Sequence, residues 1–162
     1  MILQPGHWLG RGSVLIEGFS LGKTVECDAR VEQDEQGLIV NADLEFQDDT
    51  EVKVGVRIAS NDVGTYSLRV HAGAEPFYGT AKLDSTPNLG LLWNESETVY
   101  VTFSLFTVSG GYGCRGFLGD GDTTYTWEIA FSLKQDVIKG DNVVSLRGRG
   151  RGRGRSRGKK PS

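Results

Sequence analysis

No stretch of eighteen apolar residues occurs in this chain, so no helix of it is expected to cross a bilayer. Histidine is scarce: His7 and His71 are the only imidazoles. Neither sits in a His-Glu-x-x-His pattern, and both read as ordinary surface or hydrogen-bonded side chains. Cysteine is as scarce. Cys27 and Cys114 lie far apart in neither CxxC nor Cys/His spacing, which leaves zinc without enough soft ligands. In a reducing compartment they are expected to be two buried thiols. Gly-x-Ser-x-Gly and P-loop patterns are missing, so no catalytic residue, metal or cofactor is expected. The opening Met1-Ile-Leu-Gln-Pro-Gly-His-Trp8 carries neither a basic region nor a long apolar stretch, and without a visible signal peptide a cytoplasmic location follows by default.

Net positive charge is absent from most of the chain and concentrated at its end. Residues 140–162 hold six Arg and two Lys against Asp141 alone, a net +7. Residues 1–139 hold ten Lys/Arg against twenty Asp/Glu, a net −10. The pI near 5.4 describes neither part. Two units follow: a folded body over 1–139 and a basic tail over 140–162. The tail alternates Arg with Gly, has almost nothing to bury and is expected to be disordered.

The body alternates apolar and polar residues, the mark of half-buried antiparallel strands. Val52, Val54, Val56 and Ile58 share one face against Glu51, Lys53 and Arg57. Val99, Val101, Phe103 and Leu105 oppose Tyr100, Thr102 and Ser104. Tyr125, Trp127, Ile129, Phe131 and Leu133 oppose Thr124, Thr126, Glu128 and Ser132. Turn signals such as Asp34-Glu-Gln-Gly37 and Gly119-Asp-Gly-Asp122 separate the runs. Nine or ten strands are expected, near 7–17, 23–32, 37–46, 51–60, 64–72, 76–84, 88–93, 97–108, 112–118 and 123–135. No stretch keeps helical spacing for three turns, so the class is all-β. So many antiparallel strands must hide their edges by closing into a barrel or stacking as two sheets, and short connections favour an up-and-down meander over a Greek key; the expectation is a mostly up-and-down barrel, or barrel-like sandwich, of eight to ten strands. Trp8 and Trp127, on the apolar faces of the first and last strands, are expected to plug the barrel floor. Tyr100 and Phe106 face the other way and suit an exposed aromatic patch.

The opening Gly6-His7-Trp8-Leu9-Gly10-Arg11-Gly12 resembles the Gly-x-Trp start of the calycin-type barrels, the lipocalin, fatty-acid-binding and nitrobindin-like groups. Ser109-Gly-Gly-Tyr-Gly-Cys-Arg-Gly-Phe-Leu-Gly119 is similar to the glycine-rich late strand of allene-oxide-cyclase and dirigent-like barrels, with its glycine spacing off by one. The resemblance implies the barrel architecture and, for the calycins, a small apolar ligand in its interior. The haem ligand of nitrobindin-like barrels has no counterpart, since no His follows His71.

The acidic pairs Asp34/Glu35, Asp48/Asp49 and Asp120/Asp122 all fall in turn sequences, where Asp bonds its own backbone. Gly119-Asp-Gly-Asp122 lacks the other ligands of a calcium loop. Asn94-Glu-Ser96 is a glycosylation sequon that matters only for a secreted protein. The tail carries the functional expectation. Arg147, Arg149, Arg151, Arg153, Arg155, Arg157, Lys159 and Lys160 form a sequence-tolerant binder of nucleic acid, RNA first. Twenty-three flexible residues span roughly 26 Å against a body with a radius of gyration of about 14 Å, so the acidic body competes with phosphate for the tail. The leading expectation is therefore a non-enzymatic nucleic-acid-binding protein. The alternatives are a small-ligand carrier with a solubilising or docking tail, a barrel cyclase or isomerase, and an assembly protein with a basic arm.

Overall fold

A computed structural model describes residues 1–134. The basic tail and its eight cations lie outside the described residues. Ten strands occupy the body: β1 (Gly6–Ile16), β2 (Lys23–Asp34), β3 (Gly37–Phe46), β4 (Glu51–Ser60), β5 (Tyr66–Ala72), β6 (Glu75–Lys82), β7 (Asn88–Asn94), β8 (Tyr100–Val108), β9 (Gly111–Gly119) and β10 (Thr124–Leu133). Each pairs antiparallel with its sequence neighbour, and β1 pairs with β10, closing the barrel. Closure removes the sheet edges that a stacked pair of sheets would leave.

The alternation in the sequence becomes inside and outside. Val25, Cys27, Ala29 and Val31 of β2 point inward, and the register aligns them with Trp8 and Gly10 of β1 and with Leu44, Ala42 and Val40 of β3. Leu38, Ile58, Leu68, Val70, Ala81, Leu92, Leu105 and Tyr112 continue the same apolar cluster around the wall. Trp8 meets Tyr112 edge-on at 5.0 Å between ring centroids, and Tyr112 stacks on Phe131 at 4.9 Å. Such contacts add about 0.5–1.5 kcal/mol each beyond burial.

Trp8 and Trp127 do not share a floor. Closure does bring their strands together, but Trp8 lies opposite Leu133 and Trp127 lies opposite Val14. Six residues of β1 separate the two levels, roughly 20 Å at about 3.3 Å per residue. An antiparallel pair reverses direction, so residues near the start of one strand meet the end of the other.

Five glycines of β1, β7 and β9 are matched to aromatic residues directly across the ladder. Phe131 covers Gly10, Phe103 covers Gly90, Phe106 covers Gly113, Trp127 covers Gly116 and Tyr100 covers Gly119. A ring over a bare backbone restores the packing that the missing side chain would have supplied. This accounts for a glycine content that would otherwise weaken strands.

Candidate functional site

Two concavities mark the barrel, and both open on its outer wall. The first, of about 880 Å³, crosses β6 to β10 and β1. Its floor is made of two rows set by strand register. Thr80, Leu91, Thr102, Phe117, Thr126 and Leu15 form one; Lys82, Leu89, Ser104, Arg115, Glu128 and Ser13 form the other. Leu15, Leu89, Leu91 and Phe117 are exposed there. Beside the first row runs a third, Arg69, Tyr78, Trp93 and Tyr100, on four adjacent strands. Arg69 lies over the Tyr78 ring at 5.7 Å, and Tyr100 meets Phe117 edge-on at 6.2 Å. The exposed Tyr100 expected from the sequence is thus one member of a larger aromatic face. Phe106 also points outward, capped by Arg115 at 5.3 Å.

The second concavity, of about 670 Å³, crosses β1 to β4 and is acidic. Glu26, Glu45 and Glu51 stand directly opposite one another on three adjacent strands, and Asp28 stands opposite Asp43. Like charges opposed across a ladder repel. The neighbouring cations relieve part of this: Arg11 reaches Glu26 at 3.2 Å and Lys53 reaches Asp43 at 3.3 Å. His7 Nε2 lies 2.6 Å from Asp28 Oδ1. At exposed positions such pairs contribute little, on the order of 0–1 kcal/mol. Lys134, the last described residue, lies beside this groove, where its N–H donates to the His7 carbonyl.

The two halves of the wall therefore differ in charge. Outward ladder positions of β2 to β4 carry seven acids (Glu26, Asp28, Glu32, Asp34, Asp43, Glu45, Glu51) against Arg30, Lys53 and Arg57. Outward positions of β5 to β9 carry Arg69, Lys82 and Arg115 and no acid. Glu128 of β10 is held by Arg115 at 2.8 Å.

The acidic turn pairs are structural. Asp34 accepts from the Gln36 N–H and from Arg57; Arg57 first, then the backbone, holds its carboxyl below the usual range. Asp48, bonded to Lys23 and then to Thr50, drops to about 2. Asp120 accepts the Asp122 and Thr123 N–H groups, which lower its pKa. No group of three or more His, Cys, Asp or Glu suited to a metal occurs among the described residues. Cys27 and Cys114 are free thiols, and burial pushes Cys27 up to about 11 and Cys114 upward. Both thiols therefore stay protonated and unreactive at neutral pH.

Asn94 is the residue whose role the sequence hid. Its side chain is 1% exposed. Its Oδ1 accepts the Thr98 and Val99 N–H groups at 2.9 Å each, and its Nδ2 donates to Glu75 at 2.7 Å. The sequon is thus a buried clamp on the β7–β8 turn. No family model matches the chain and no curated protein matches it.

Proposed function

We propose that this protein is a non-enzymatic binding protein in which an acidic barrel carries a cationic tail for nucleic acid. The charge division carries the reading: the eight cations of 147–160 follow a body whose described residues hold nine Lys/Arg against nineteen Asp/Glu. Guanidinium forks pair with phosphate whatever the sequence. The apolar cluster packed inside the barrel and the concavities on its outer wall support contact through the wall and tail over uptake into the barrel.

The test compares the full chain with residues 1–139, which retain the closed barrel, using fluorescence anisotropy of a labelled oligonucleotide across a salt series. With all eight cations engaged on a single strand, the log–log salt slope approaches about −5.6. Changing the six arginines to Gln should reduce it to about −1.4, the value for two lysines. Unchanged binding by residues 1–139 would sink the reading.

Competition within the molecule gives a second expected outcome. The described residues end at Lys134, beside the acidic half of the wall, so the body weakens nucleic-acid binding in cis. A peptide of residues 140–162 should bind more tightly than the full chain at equal low salt, and the gap should close as salt screens the wall. Equal affinities at low salt would refute the competition.

A further inference from the structure

We infer that the outer face of β6 to β9 is a base-stacking platform for single-stranded nucleic acid, a second contact that rests on the nucleic-acid reading above. Tyr78, Trp93, Tyr100 and Phe117 lie on four consecutive strands. Neighbouring strands are about 4.8 Å apart, so Tyr78, Trp93 and Tyr100 stand side by side in one row, and Phe117 on the next strand meets Tyr100 edge-on at 6.2 Å. Tyr78, Tyr100 and Phe117 are each between 39% and 45% exposed, and Trp93 is half-buried. Exposed rings grouped on one sheet face are costly to leave in water and need a covering partner.

Charge selects the partner. Arg69 flanks this row on β5, while Lys82 and Arg115 line the adjoining groove on β6 and β9. The outward ladder positions of β5 to β9 carry no acid, and Glu128 of β10, which lines the groove, is neutralised by Arg115 at 2.8 Å, so this is the side of an otherwise acidic barrel that a polyanion can approach. A strand laid along the groove sets phosphates against Lys82 and Arg69, with Arg115 holding Glu128 away from them, and turns its bases onto the rings. Stacking of this kind tolerates any base, in keeping with the tail. A duplex keeps its bases inside and gains nothing from the rings. The platform therefore adds a preference for single strands that an Arg-Gly tail alone does not supply.

The experiment uses the full chain with Tyr78→Ala, Phe117→Ala, the double variant and Thr102→Glu, each checked for native circular dichroism. Affinity is measured for a labelled oligo(dT) of about twelve nucleotides and for a duplex of equal length. Oligo(dT) affinity should fall about tenfold per ring removed, with the salt slope and duplex affinity unchanged. Thr102→Glu keeps every ring but places a carboxylate on the groove floor, and should weaken oligo(dT) binding most at low salt. Folded variants that bind oligo(dT) as the wild type does, while binding still depends on the tail, would overturn the platform and leave the nucleic-acid reading standing. A full chain that binds neither probe defeats both. A wild-type dimer in light scattering that Phe117→Ala makes monomeric would assign the face to a second copy and also overturn the proposal.

Discussion

Replacing Gly12 with Ala should destabilise the barrel by about 3 kcal/mol or more, and Gly12→Val should prevent folding. Gly12 points inward on β1, and a Cβ there would overlap the Glu128 carbonyl oxygen and lie 2.7 Å from the Ile129 Cα. Both obstacles are backbone of the paired strand, so no side chain can swing aside. Relief requires β1 and β10 to separate at the seam that closes the barrel. Two other glycines calibrate the effect. At Gly113 the obstacle is the Phe106 ring, which can rotate, so Gly113→Ala should cost about 1–2 kcal/mol. Gly18 has φ +85° and nothing within 4 Å, so Gly18→Ala carries only backbone strain, on the order of 1 kcal/mol. Urea denaturation of the three variants measures the order. A Gly12→Ala variant no less stable than Gly18→Ala would show that the seam does not depend on that close approach.

The alternation made the strands legible because inward and outward positions face different solvents. β4 and β8 bury the faces their sequences mark, β10 does so except at Leu133, which is exposed at the strand's end, and β3 and β4 span the expected residues. What alternation cannot convey is register. Tyr78, Trp93, Tyr100 and Phe117 are scattered over forty positions and become one face only once four strands are aligned. The same gap misplaced Trp8 and Trp127 on one floor. Acids in β2 to β4 look like ordinary polar faces until pairing sets Glu26, Glu45 and Glu51 side by side. The tail is the reverse case: its charge is plain in the sequence and lies outside the described residues. Turn chemistry was legible where Asp bonds its own backbone, as at Asp34, Asp48 and Asp120. It was not at β8, expected from residue 97 but starting at Tyr100, because the Asn94 side chain folds 95–99 into the turn.

Asn94→Ala should accordingly cost about 3 kcal/mol, even though the substitution merely shortens one side chain. The loss has two parts. Truncation removes the acceptor for the Thr98 and Val99 N–H groups, and it leaves Glu75 without the amide that it accepts from. Glu75 and Thr98 are exposed, so water replaces part of what they lose; the larger share falls on the half-buried Val99 N–H and the buried site of Asn94 itself, at about 1–3 kcal/mol for a group that water cannot reach. Glu97, held at φ 56° between them, then loses the frame that keeps a non-glycine residue in the left-handed region. Asn94→Asp separates the two parts. A carboxylate still accepts from Thr98 and Val99 but meets the Glu75 carboxylate where the amide donated, so it should be nearly as damaging at neutral pH. Adding Glu75→Gln restores a donor facing Asp at 94, and the double variant should recover most of the stability. Denaturation of the four proteins closes the cycle. A strictly additive result across the wild type, Asn94→Asp, Glu75→Gln and the double variant would mean that Asn94 and Glu75 act independently.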